Sequence, residues 1–213
     1  QCARRGRLRE HRQVVRRLVL AALLCLQGWA WAADEAALMQ RGEELVMGRC
    51  FLCHGATGDS SSPLYPKLAG QNSEYMRKQL NNFKRGERDS ADMRKVVADM
   101  DAHDIESAAF FFSRQQPTRG NSAYAEMRAV GESLFRQGDP ARGLKPCREC
   151  HGEGGAGSTT LPRIAGQHTL YVETQLTLFE ERKRTNDNAQ MQDIAKRLTT
   201  DEIRALAEYL RSL

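Results

Sequence analysis

The chain has 213 residues, a length that suits one or two small domains. Its formal net charge of +5 would suggest an acidic partner such as nucleic acid, but the first 32 residues hold seven arginines and a single acid. Without that segment 25 basic residues face 26 acidic ones, so the basic balance belongs mostly to those first residues and does not point to nucleic-acid binding.

The N-terminal segment has its own logic. Arg4, Arg5, Arg7, Arg9, Arg12, Arg16 and Arg17 precede an apolar run from Leu18 to Leu26, and Ala30-Trp31-Ala32 is a small-x-small site. This order predicts a cleavable secretory signal peptide over 1–32. The apolar run falls short of the ~20 residues of a comfortable membrane span, so an uncleaved anchor is the lesser alternative. Cys25 follows Leu24 rather than a small residue, which argues against lipidation. A translation start near Val14 or Val15 is the expectation for this leader. After cleavage the cysteines that remain are Cys50, Cys53, Cys147 and Cys150.

Those four cysteines form two copies of one pattern. Cys50-Phe51-Leu52-Cys53-His54 and Cys147-Arg148-Glu149-Cys150-His151 both read C-x-x-C-H, the attachment signature of a c-type haem. Two thiols at this spacing add to the two vinyl groups of one porphyrin, and the histidine that follows binds iron from below. Zinc sites place their cysteine pairs ~15–20 residues apart, far closer than Cys53 and Cys147. A thioredoxin-like dithiol wants a βαβ setting that the sequence lacks, and a disulfide across three residues is strained. Two covalent haems therefore follow, and export agrees with attachment outside the bacterial cytoplasm.

The chain also repeats itself. Pro66-Lys67-Leu68-Ala69-Gly70-Gln71 matches Pro162-Arg163-Ile164-Ala165-Gly166-Gln167. Tyr75, Gln79, Leu80, Phe83 and Arg88 meet Tyr171, Gln175, Leu176, Phe179 and Arg184 at the same offset. The expected architecture is all-α: two tandem units over 33–116 and 117–213, divided in the polar stretch around Pro117 and Gly120. Asp34 is a candidate cap for a first helix to about Gly48, matched by 123–137. Asp101 and the Thr199–Glu202 capping box start the last helices, whose buried stripes are Ile105, Ala109, Phe112 and Ile203, Leu206, Leu210. Gly152, Gly154, Gly155 and Gly157 lack a following Gly-Lys-Ser/Thr, so they predict a flexible loop beside the haem rather than a phosphate loop. Each unit is too small for more than a marginal core, and the porphyrin supplies the missing apolar mass.

A six-coordinate iron needs one more donor. Thioether sulfur favours the ferrous state, and Met191 is the sole methionine after His151. The repeat aligns Met93 with it. Met100 aligns with Leu198, which cannot ligate, and is assigned to the core together with Met39, Met47, Met76 and Met127. His103 and His168 lack a histidine in the sister unit and are expected at the surface, with a bis-histidine haem as the alternative.

Together these residues resemble the dihaem cytochrome c4 family, two class I cytochrome c domains in tandem, over essentially all of the exported chain. The resemblance implies a periplasmic electron carrier, not an enzyme, serving respiratory redox proteins such as a membrane oxidase or reductase or a quinol-oxidising complex. A peripheral membrane association is compatible with it. It also implies that Pro66 and Pro162 offer carbonyls to the proximal histidines, and that Gly42 beside Phe111 and Gly131 beside Tyr209 let the first and last helices cross closely. Two other readings share the haem residues: an electron-transfer subunit of a flavoprotein or other dehydrogenase complex, and a dihaem peroxidase, which would need a displaceable sixth ligand.

Overall fold

A computed structural model describes residues 33–122 and 124–213. Residues 1–32, where a signal peptide is expected, lie outside the described residues. The first unit contains α1 (33–45), which runs through a π-helical turn, Val46–Cys50, into α2 (Phe51–His54), followed by α3 (Ser73–Arg85), α4 (Ala91–Val97) and α5 (Ala102–Ser113). The second contains α6 (Ala125–Gln137), α7 (Arg148–His151), α8 (Thr169–Glu180), α9 (Gln190–Ala195) and α10 (Thr200–Ser212). Among the described residues the nearest thing to a strand is one antiparallel bridge between Asp139 and Leu144.

Local chemistry explains the helix ends. Asp101 accepts from the backbone N–H of Asp104, and Thr199 and Glu202 form the reciprocal capping box. Asp34 differs from expectation: residue 33 is already helical, so its carboxylate sits inside the first turn rather than capping it. Tyr124 precedes α6, which starts two residues later than the sequence suggested.

Each unit packs its last helix across its first. A Cβ at Gly131 would overlap the Ala205 carbonyl oxygen, and one at Gly42 would overlap that of Ser107, so only glycine admits these crossings. The cores follow the expected stripes: Ile105, Ala109 and Phe112 in the first unit and Ile203, Leu206 and Leu210 in the second are buried. Met100 and Met76 are core residues, whereas Met47 is 55 % exposed. It sits on the outer face of the π-helical turn, so its assignment to packing was wrong.

The units differ at the entry to the cysteine motif. In the first, helix runs directly into Cys50. In the second, α6 stops at Gly138, a short 3₁₀ turn (Pro140–Arg142) follows, and the chain doubles back through the Asp139–Leu144 bridge. The polar connection between units is packed rather than loose: Pro117 lies on Gly70, and the N–H of Gly120 donates to the Arg211 carbonyl at 2.9 Å.

Candidate functional site

The motif residues fold alike in both units. Each short motif helix ends on a glycine at positive φ, Gly55 or Gly152, which turns the chain away and leaves the histidine buried. His54 Nδ1 lies 3.0 Å from the Pro66 carbonyl oxygen, and His151 Nδ1 lies 3.0 Å from that of Pro162. A carbonyl only accepts, so each Nδ1 carries the proton and donates, leaving Nε2 with a free lone pair. Burial pushes both imidazoles below their ordinary pKa, partly offset by the proline carbonyls. Burial likewise pushes the Cys50 and Cys147 thiols up to about 11.

Both histidines, all four cysteines, Pro66, Pro162, Met93 and Met191 line one continuous cavity of about 1130 Å³ with a mainly apolar wall. It runs from one unit into the other. Met93 and Met191 stand on α4 and α9, near the start of matching short helices. The N–H of Met93 donates to Ser90 Oγ at 3.3 Å and that of Met191 to an Asp187 carboxylate oxygen at 2.5 Å. Among the described residues no three His, Cys, Asp or Glu side chains cluster as a metal-ion site, which leaves the zinc reading without a ligand set.

The glycine-rich loop after His151 is tighter than expected. The N–H of Gly157 donates to the His151 carbonyl at 2.7 Å, and a Cβ at Gly157 would overlap the Leu161 carbonyl. These glycines allow a compact turn against the motif, not a flexible loop. His168 also departs from expectation. It is half-buried between the units, and its Nε2 donates to the Ser60 carbonyl at 2.8 Å, while His103 is exposed.

Sequence reasoning gave no role to a polar cluster at the junction of the two units. Arg88 donates to Gln79 of its own unit at 2.8 Å, and to the Tyr171 hydroxyl and Gln175 of the other, each at 2.9 Å. Arg184 mirrors it, donating to Gln175 at 2.6 Å and across to the Tyr75 hydroxyl at 2.9 Å. Each guanidinium also lies over a phenyl ring, Arg88 on Phe83 at 4.6 Å and Arg184 on Phe179 at 4.5 Å. Burial alone would raise the Tyr75 phenol, but the Arg184 and Arg88 charges outweigh it and hold it below its ordinary range. Both arginines are buried, both line the cavity, and among the described residues neither pairs with a carboxylate. Two uncompensated buried cations beside one cavity call for anions. The sequence repeats all six side chains between the units, but repetition alone does not reveal that the arginines are buried.

A second reciprocal contact lies nearby. Gln71 donates to the Arg163 carbonyl at 2.8 Å and accepts from the Arg163 N–H at 2.7 Å. Gln167 treats Lys67 in the same way, at 3.0 and 2.9 Å.

These residues fit a c-type haem in each unit: paired thiols, an oriented imidazole, a thioether on the cavity wall, and buried arginines able to receive carboxylates. Comparison with known proteins agrees. The cytochrome c family model matches residues 39–117 and 131–213. Cytochrome c4 of Pseudomonas aeruginosa is 38 % identical over 198 residues, spanning 91 % of this chain and 96 % of the relative. A protein of Thiomonas intermedia described as a thiosulfate dehydrogenase electron acceptor is 31 % identical, spanning 92 % of this chain and 90 % of its own. The crystal structure of reduced cytochrome c4 from Pseudomonas stutzeri superposes with a TM-score of 0.79 at 34 % identity, covering 82 % of this chain and 98 % of that one.

Proposed function

Because the chain belongs to the cytochrome c family as a two-haem electron carrier, we propose that it holds one haem on Cys50, Cys53 and His54 and the other on Cys147, Cys150 and His151. Met93 and Met191, on the wall of the same cavity, would supply a thioether sulfur to each iron. Each haem, when bound, supplies a one-electron ferric/ferrous couple. The residues do the rest. The Pro66 and Pro162 carbonyls fix the imidazole orientation and increase its basicity. Such thioether donors would favour the ferrous state and keep small ligands off the iron. Arg88 and Arg184, buried on the cavity wall, would receive haem carboxylates through charge-assisted hydrogen bonds. The protein is thus a carrier rather than an enzyme, divided near Pro117 into units 33–116 and 117–213.

The observation that carries this reading is the convergence of both motifs, both methionines and both arginines on one cavity. An optical spectrum with a haem count and added carbon monoxide tests it. Two low-spin haems with a methionine–iron band and no carbon monoxide shift support it; ready carbon monoxide binding by native protein would move the reading to an enzyme.

The leader predicted over 1–32 supports export to the periplasm, and among the described residues no helix is long and apolar enough to cross a membrane. The partners are redox proteins: a membrane oxidase or reductase, or a quinol-oxidising complex. A second reading, a carrier for a dehydrogenase, draws support from the relative described as a thiosulfate dehydrogenase electron acceptor. Reduction by a purified dehydrogenase at rates above those with a quinol-oxidising complex would favour it.

A further inference from the structure

Each unit ties its methionine-bearing segment to the segment entering its cysteine motif, but with different residues. In the first unit Arg49, the residue before Cys50, grips Asp99 through both carboxylate oxygens at 2.5 and 3.1 Å and donates to the Val96 carbonyl at 3.4 Å. Val96 and Asp99 follow Met93 directly on α4 and its exit. In the second unit the residue before Cys147 is Pro146, and the position matching Asp99 is Arg197, so neither half of this pair exists.

The inserted turn of the second unit supplies a replacement. Arg142 grips Glu202 through both oxygens at 2.6 and 3.0 Å, takes a third bond to Asp139, and donates to the Arg197 carbonyl at 2.9 Å. Arg197 returns a bond to the Arg142 carbonyl at 2.9 Å. Glu202 is also the capping-box residue of α10, so the grip fixes the turn between α9 and α10 from both sides. Two arginines at non-equivalent positions thus make the same kind of tie, one in each unit.

We propose that Arg49 and Arg142 are positioning residues that hold the methionine arms closed over the cavity, and that the first arm is the weaker and opens first. The inference rests on Met93 and Met191 being the iron ligands. The inequality comes from solvent. The side chains of the first pair are 35 % and 69 % exposed, those of the second 37 % and 19 %. An exposed pair is weak and screened by salt, whereas the second pair belongs to a network with a shielded carboxylate. Retention of Met93 therefore depends on ionic strength and retention of Met191 hardly does.

Cyanide binding to the ferric holoprotein tests this, with NMR following the shifted methyl signal of each iron-bound methionine. Met93→His and Met191→His assign the two signals. In wild type the rate at the first haem rises with salt and that at the second stays nearly flat. Arg49→Gln speeds binding at the first haem roughly two- to fivefold and abolishes its salt dependence. Glu202→Gln, which keeps the capping oxygen, speeds binding at the second haem by about tenfold, as does Arg142→Gln. The reciprocal swap, Arg49→Asp with Asp99→Arg, restores the wild-type rate at the first haem. Unchanged rates in Arg49→Gln and Glu202→Gln, or equal effects on both haems, overturn the clamps. If the histidine variants remove neither methyl signal, the ligand assignment itself is wrong and the clamps fall with it.

Discussion

At the scale of single residues, the proposed iron ligands make separable predictions. Met191→Ala should open the second haem to carbon monoxide and lower its potential by on the order of 0.1–0.3 V, since axial ligands move haem potentials over a wide range. Redox titration with and without carbon monoxide checks this, and unchanged values would remove Met191. Cys147→Ser combined with Cys150→Ser should leave one covalent haem per chain by mass spectrometry. The arginines act differently. Arg88→Gln removes a buried cation beside the cavity and should lower a haem potential by on the order of tens of millivolts, because the cation favours the less positive ferrous centre. Loss of haem attachment instead would assign Arg88 to folding. Cysteines, histidines and methionines were legible because their chemistry has few other uses at such spacing. Arg88 and Arg184 were not, since an arginine in a sequence looks like solvated surface. Only the junction of the two units shows that they are buried with no carboxylate partner among the described residues.

At the scale of elements, close helix crossings decide which glycines matter. Gly131 faces the Ala205 carbonyl and the Tyr209 Cβ on α10, so Gly131→Ala must push α6 and α10 apart. Overpacking of that kind costs about 2–3 kcal/mol. Gly48 has nothing within 4 Å of an added Cβ and lies in a π-helical turn. Gly48→Ala should be neutral or stabilise by about 0.5–1 kcal/mol through chain entropy. Denaturant melts of the holoproteins separate the two, and equal losses would contradict the crossing argument. Helix positions were readable from apolar spacing and caps, since Asp101 and Thr199 act locally. The insertion of the second unit was visible as extra residues between Gly138 and Cys147, but its role was not. Arg142 finds Glu202 sixty positions away, and no local rule pairs them. The glycine-rich loop misled for the same reason: composition suggested freedom, while Gly157 is held by His151 and Leu161.

At the scale of the whole molecule, the two units meet through near-symmetric contacts, and the departures from symmetry carry consequences. Asn72 donates to the Leu161 carbonyl at 2.5 Å, and the matching residue His168 donates to the Ser60 carbonyl at 2.8 Å. One side of the junction therefore titrates and the other does not. Burial lowers the His168 pKa, the Lys67 and Arg211 charges lower it further, and the Ser60 carbonyl and Asp59 only partly oppose them. The closed molecule thus prefers the neutral ring. A group whose pKa is depressed on folding contributes stability above its unfolded value, about 6.5 for histidine, and loses it as pH falls toward the folded value. The junction should weaken as pH falls below about 6.5, seen as faster hydrogen exchange around Ser60 and the Gln71–Arg163 contact. His168→Asn copies the sister unit's residue, keeps a donor and removes the titration, so its exchange should stay flat over the same window. Asp59, held low despite burial by Thr118 and Lys67, stays ionised there and does not interfere. The same acid response in His168→Asn would place the sensitive group elsewhere at the junction.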